Sequence, residues 1–427
     1  MRNLLFCCCF VEKQIPRRFA PRNDKNARAR LEAKPSQNSS RRCKVDSSPC
    51  YTSLMLTGYA TADGTAQYRD RFPHLRDAGH FRHVEQLPER GLWLSSIGLG
   101  TYLGDTDDAA DAEYAEAIHT ALASGINVLD TAINYRHQRS ERNIGVALAD
   151  QIRSGKLSRD EIFVCSKAGY LSFDGNMPAD PRRYFMQEYV ETGILDPAEI
   201  AGGMHCVAPA YLENQIARSR RNLGIETIDL FYIHNPETQL AEVSRPVFRQ
   251  RIKEAFALLE GEVKHNRIRF YGLATWGAFR VGEDSREYIA LHEMVETARD
   301  VAGEHHHFRF IQLPFNLAML EAHVLANQST GKDKEKLSAF SAAARLGMTV
   351  IVSGTLAQGQ LTHGLPQDLM RKLGLKTAAE NAIQFSRSAP GVTTALVGMG
   401  HKEHVAANLK TALVPPVRET EWKQLFK

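Results

Sequence analysis

Cysteine is nearly absent from most of this 427-residue chain. Cys7, Cys8, Cys9, Cys43 and Cys50 fall in the first fifty residues, leaving only Cys165 and Cys206 for the rest. So thin a supply excludes a disulfide framework and predicts a reducing, cytoplasmic setting. There is no run of 18 apolar residues, which excludes a membrane-spanning helix. Charge of one sign is also missing. The net charge is +4, yet residues 1–50 hold twelve Lys/Arg against four Asp/Glu, so the remainder carries about −4. A nucleic-acid partner has little electrostatic support there. The Cys7–Cys9 triplet has no matching His/Cys set at ligand spacing, so no metal site is expected.

What is present is a core-forming composition, 43% apolar and 24% charged, long enough for one large α/β barrel or two ordinary domains. Residues 1–54 are rich in Arg, Ser and Asn without sustained periodicity. They read as a disordered basic extension or an upstream stretch, with Met55 as the alternative start; a targeting peptide is the other reading. Residues 55–92, polar and aromatic, read as a lead-in or short hairpin packed on the domain that follows.

From residue 93 a pattern sets in. Short β-branched or aromatic runs end near Thr101, Asp130, Lys167, His234, Thr275, Gln312, Ser353 and Gly398. Between them lie stretches with helical spacing, among them 109–124, 210–223, 245–265, 286–301, 334–346, 377–388 and 402–413. Eight such alternations predict a (β/α)8 TIM barrel over residues 93–427. The alternative, a doubly wound open sheet, lacks a Gly-rich phosphate loop after the first strand.

In a barrel the C-terminal strand ends share one mouth. That predicts a meeting of Asp130, Tyr135 just beyond it, Lys167 and His234. A Lys beside a Tyr is expected to depress the phenol pKa, an Asp to hold the Lys protonated, and a His to orient a carbonyl oxygen. Singly, each has a plainer reading: Asp130 as a helix cap, Lys167 as a solvated strand end, His234 as a satisfied core histidine. Together, on successive strands, they point to a proton donor for an oxygen that gains negative charge.

At these residues the chain resembles the aldo-keto reductase family. The match runs through Gly98-Leu-Gly-Thr-Tyr102, Asp130-Thr-Ala-x-x-Tyr135, Lys167, Asp229-Leu-Phe-Tyr-Ile-His234, Gln312-Leu-Pro-Phe-Asn316, Ser353, Leu356-Ala-Gln-Gly359 and Gly398…His404…Asn408, spanning about 92–413. The resemblance implies Asp130, Tyr135, Lys167 and His234 as a catalytic tetrad with Tyr135 as general acid. It implies NADP(H) as hydride donor, with NAD(H) not excluded. Thr275 and Gln312 would hold the nicotinamide amide, Gly100, Thr101, Tyr102, Ser353, Leu356 and Gln358 would line the same cofactor, and His404 and Asn408 would grip its adenosine end. The chain departs from the family pattern at several positions: Arg136 stands where Gly is usual, Ala274-Thr275 replaces a Ser-Asn pair, Val352 replaces an aromatic, His404 replaces an Arg, and Gly398 stands at an upstream basic position.

The expected activity is reduction of an aldehyde or ketone, or oxidation of the alcohol in reverse. A nucleotide-sensing barrel with little turnover is the alternative. A barrel hydrolase would need paired carboxylates or a metal cluster, and neither is visible. The roughly 40 residues after Lys167 are disproportionate for a barrel loop. Their aromatics, Phe173, Tyr184, Phe185 and Tyr189, suggest a lid over the mouth, or else staples to the outside of the barrel.

Overall fold

The computed structural model describes residues 55–87, 91–332 and 335–426. The extension 1–54 and its cysteines lie outside them. An antiparallel hairpin, β1 (Phe81–Val84) and β2 (Leu92–Ser95), precedes eight parallel strands. These are β3 (Ile97–Gly100), β4 (Val128–Asp130), β5 (Phe163–Ala168), β6 (Ile228–His234), β7 (Ile268–Ala274), β8 (Phe308–Pro314), β9 (Thr349–Ser353) and β10 (Val392–Gly398). They pair in sequence order, and β10 closes on β3 through Ala395–Ile97 to Gly398–Gly100, so the sheet is a closed TIM barrel.

Alternation along each strand sorts the side chains. Val128, Phe163, Cys165, Leu230, Tyr232, Phe270, Phe310, Ile351 and Leu396 fill the interior, and Val84, Leu92 and Leu94 of the hairpin join them from the N-terminal end. Leu129, Val164, Phe231, Leu273, Ile311 and Val350 belong to the larger core shared with the helices. Residues 55–80 are fastened to the same end. The amide of Ala60 donates to Asp229 Oδ1 at 2.6 Å, while Arg159 Nη2 holds Asp229 Oδ2 at 2.7 Å. The Tyr68 hydroxyl donates to the carbonyl of Leu122 at 2.7 Å.

The surrounding helices follow the predicted spacing, with two trimmed starts: 286–301 becomes Leu291–Ala302 and 334–346 becomes Ala339–Arg345. One helix absent from the sequence reading, Arg139–Arg153, buries Ile144, Ala147 and Leu148. Its polar first turn hides that stripe, though the three-and-four spacing is there. Helix Pro209–Leu223 ends at left-handed Gly224 (φ 63°), as its sequence suggests. Among the described residues no helix is long and apolar enough to cross a membrane.

The insertion after β5 does not behave as the lid reading expects. Phe173 stacks on Phe185 at 4.7 Å, Tyr184 packs at their edges, and Tyr189 meets Tyr211 of the outer helix at 5.7 Å. Tyr189, Leu195, Cys206 and Tyr211 form a small core of their own, with Tyr184 and Phe185 packed against it. Their apolar area is satisfied against the flank of the barrel.

Candidate active site

The strand register builds the site. Asp130 pairs with Cys165, Lys167 with Tyr232, His234 with Ala274, and Ala274 with Gln312. Cys165 and Tyr232 face the interior, so every second residue beyond them does too. Asp130, Lys167, His234, Ala274 and Gln312 therefore form the topmost layer of the barrel interior, and polar side chains end an otherwise apolar channel.

Lys167 is fully buried and donates from Nζ to Asp130 Oδ1 at 2.5 Å and to the Thr131 carbonyl at 2.8 Å. Burial works against the ammonium, yet Asp130 and then Tyr135 hold its pKa above the usual lysine value. Gln312 Nε2 donates to the other oxygen of Asp130 at 2.8 Å. The carboxylate is thus fixed at both ends. Nζ lies 4.9 Å from the centre of the Tyr135 ring, whose edge meets the His234 ring at 5.8 Å.

The expected depression of the Tyr135 pKa does not survive as a net effect. The protein packed around the phenol raises its pKa to about 12, because burial outweighs the lowering by Lys167. His234 moves the other way. Burial first, then Lys167 and His205, push its pKa well below 6.5, so the imidazole is neutral. Its Nδ1 is buried without a partner, leaving Nε2 as the nitrogen available to an incoming oxygen.

The turn that carries Tyr135 is unusual. Arg136, His137 and Gln138 have φ of 46°, 53° and 73°, three successive left-handed residues and none of them glycine. Side chains hold them there. Arg136 donates to the Asp105 carbonyl, Asn143 Oδ1 and Asp111 Oδ1 at 2.7, 2.8 and 2.6 Å, and covers the Tyr114 ring. Gln138 Nε2 donates to the Phe173 carbonyl at 2.9 Å. We expect Arg136→Ala to be less stable than Arg136→Gly by about 1 kcal/mol, the cost of a left-handed non-glycine residue. Both should be less stable than the parent chain, since both lose the guanidinium contacts. Equal stability of the two variants in urea denaturation would show that the turn is not strained.

The other expected residues fall into two groups. Gly100 pairs with Asp130 at the end of β3, and the Thr101 hydroxyl donates to the Asp130 carbonyl at 3.2 Å. Tyr102, 51% exposed, sets its ring edge-on to Tyr135 at 5.0 Å. The Thr275 amide donates to the Gln312 carbonyl at 2.8 Å. These cluster with the tetrad. Ser353 ends β9, Leu356 and Gln358 follow it, while exposed His404 and buried Asn408 sit on helix Lys402–Leu409 after β10. Nearby, Lys402 pairs with Glu116 at 2.8 Å and His401 faces Glu113 at 3.4 Å.

Three residues at the mouth escape the sequence reading. Trp276, 47% exposed, follows β7, with its amide held by the buried carboxylate of Glu237 at 2.6 Å. Tyr170, three residues past Lys167, lays its ring edge-on to His234 at 5.3 Å. His205 comes from the far end of the insertion. The positions of Tyr170 and Trp276, each two residues beyond a strand end, signal their place; nothing local signals His205.

A dinucleotide fits this donor set. Partnerless buried polar atoms lie just beyond the strand ends, namely Thr131 Oγ1, Asn134 Oδ1, Glu237 Oε2 and Thr355 Oγ1. Such atoms are costly unless a ligand or water meets them. Beside Gly398 there is open space where a side chain would stand. A cleft of about 500 Å³ at the opposite end, lined by Arg82, Gln86 and Ser388 among others, contains none of these residues.

The aldo/keto reductase family model matches residues 96–427. A D-threo-aldose 1-dehydrogenase from a Pseudomonas species is 24% identical over 355 residues, covering 75% of this chain and 90% of the relative. The solved glycerol dehydrogenase of Gluconobacter oxydans is 21% identical with a TM-score of 0.55, covering 82% of this chain and 94% of that one. An aldo/keto reductase from Klebsiella pneumoniae, solved with NADP and acetate, is 20% identical with a TM-score of 0.50, covering 78% and 91%. The family match takes in every barrel strand, and the chain belongs to the aldo/keto reductase family.

Proposed function

We propose that this oxidoreductase interconverts a small aldehyde or ketone and its alcohol, using NADP(H), with NAD(H) as the second candidate. Asp130, Tyr135, Lys167 and His234 carry the chemistry in this reading. One observation supports it above the rest: a buried ammonium clamped between Asp130 and the Thr131 carbonyl, under the ring of a tyrosine that a neutral histidine adjoins.

The cofactor, when bound, supplies the hydride. Tyr135 keeps its proton at neutral pH because its pKa is about 12. It can release that proton only to an oxygen that is gaining negative charge, with Lys167 stabilising the phenolate left behind. His234, being neutral, can donate a hydrogen bond from Nε2 to the same oxygen. Gln312 and Thr275 are the proposed partners of the nicotinamide amide, Gly100, Thr101, Tyr102, Ser353, Leu356 and Gln358 its further lining, and His404 with Asn408 the partners of the adenosine end. The ion pair of Lys402 with Glu116 leaves less free positive charge for a 2′-phosphate, which keeps NAD(H) as a candidate. Tyr102 and Trp276 offer flat apolar surface at the rim. No nucleic-acid partner is proposed, and two buried free thiols suit a cytoplasmic setting.

The test is consumption of NADPH or NADH with a panel of small aldehydes, ketones and aldoses. Turnover with any member supports the reading. Tight nucleotide binding without turnover of any member in either direction would sink it.

A further inference from the structure

Among the described residues, the ring nitrogen Nδ1 of His234 is buried without a hydrogen-bond partner. A histidine in an active site is ordinarily aimed by the hydrogen bond at its other nitrogen. Here that restraint is missing, so something else must fix the imidazole.

We infer that the insertion after β5 is a brace for His234, with His205 and Tyr170 as its positioning residues. This rests on the role proposed for His234 above. The insertion leaves the barrel at Gly169 and returns at Cys206, and the two ends pair: Cys206 N donates to the Gly169 carbonyl and Leu171 N to the Met204 carbonyl, both at 2.8 Å. That pairing sets Tyr170 against His205. His205 Nε2 then lies 2.7 Å from the backbone carbonyl of His234.

The direction of this hydrogen bond is determined by its neighbours. Arg251 donates to Gln239 Oε1, which turns the Gln239 amide nitrogen toward His205 Nδ1 at 2.9 Å. Nδ1 must therefore accept, Nε2 carries the proton, and it donates to His234. Burial lowers the His205 pKa to about 4, so the imidazole stays neutral and keeps this tautomer through the working range. Arg251, Gln239, His205 and the His234 carbonyl form a chain polarised one way.

Tyr170 restrains the ring itself. Its plane stands at 86° to that of His234 and at 82° to that of His205, with centroids 5.3 and 5.1 Å away. Tyr135 packs on His234 as well, so the imidazole lies between two aromatic rings. The Tyr170 hydroxyl accepts from Asn235 Nδ2 at 3.1 Å, which ties the restraining ring to the residue following His234. The approach is close enough to exclude any side chain at position 169. A Cβ there would stand 2.5 Å from the His234 carbonyl oxygen and 2.7 Å from His205 Nε2.

His205→Leu and His205→Gln separate positioning from mere support. Glutamine can reach the His234 carbonyl with its own amide, whereas leucine cannot. We expect His205→Leu and, independently, Tyr170→Leu to lower kcat by roughly ten- to a hundredfold, the scale of a small misplacement of a reacting group. Nucleotide affinity, read by fluorescence titration, should stay within about threefold of the parent, a change well below the tenfold step of 1.4 kcal/mol. His205→Gln should recover most of kcat. The isotope effect with deuterated nucleotide should rise in the leucine variants, because only the chemical step is slowed. Should both leucine variants melt earlier but turn over normally below their transitions, the segment is structural and the brace is refuted. Loss of nucleotide binding in step with kcat would overturn it too. Should His234→Gln itself turn over normally, the failure lies in the role given to His234.

Discussion

Replacing Tyr135 by phenylalanine is expected to leave a folded barrel that binds nucleotide and has lost at least about 10²-fold in kcat, the usual scale for a general acid. The hydroxyl oxygen is the only heavy atom removed, and its hydrogen-bonding neighbour Lys167 keeps its bonds to Asp130 and the Thr131 carbonyl. The ring stays between Tyr102 and His234, so packing is kept. Loss of kcat with unchanged melting temperature and nucleotide affinity would mark the phenol as the proton donor. The pH dependence adds a second check. With a pKa near 12 the parent enzyme should show no alkaline loss of reduction due to Tyr135 below about pH 10, two units under that value. A loss centred near neutral pH would mean that a bound nucleotide lowers the phenol pKa well below its value here. A phenylalanine variant that reduces carbonyls at the parent rate would place the chemistry elsewhere.

How much of this was legible in the sequence depends on the distance over which each feature is determined. Strand ends are local, and interior-facing positions repeat every second residue. Asp130, Lys167, His234 and Gln312 could therefore be placed in one layer from their spacing alone. The net shift of Tyr135 could not be foreseen, because it weighs a visible neighbour, Lys167, against burial by residues far away in sequence. The left-handed run Arg136–Gln138 gives no local sign at all. Glycine would have announced it, but here Asp105, Asp111, Asn143 and Phe173 hold ordinary residues in place from outside the turn. The insertion misled for a related reason. Its aromatic content was plain, but only the presence of Tyr211 on the outer helix decides that Tyr189 turns toward the flank. His205 lies 38 residues beyond Lys167, and its approach to His234 depends on the pairing of the insertion's two ends.

Lys167→Met is expected to damage stability and activity together, and Asp130→Asn should distinguish the two effects. Methionine fills nearly the same volume as lysine but removes the charge that balances Asp130, which is itself only 3% exposed. Removing one partner of a buried pair strands the other, at a cost of about 3–5 kcal/mol. Gln312 still donates to Asp130 Oδ2, which limits the loss. In activity the methionine variant should fall at least as far as Tyr135→Phe, since a phenolate with no ammonium beside it is harder to form. The pH dependence of the stability difference has a definite sign. The folded-state pKa of Lys167 is raised above its ordinary 10.5, so its stabilisation is fully present below that value. It should be lost only as pH climbs through the folded pKa. Urea denaturation of the parent and the methionine variant should therefore give a constant gap from pH 7 to about 9 that narrows in stronger alkali. Asp130→Asn keeps the ammonium but removes its counter-charge, so burial should then lower the Lys167 pKa. With the folded-state pKa below the unfolded one, stability of that variant should rise as pH climbs toward 10.5, the opposite of the parent's alkaline loss, while Tyr135 keeps a lysine beside it. An asparagine variant that loses stability in alkali just as the parent does would show that Asp130 does not hold the charge on Lys167.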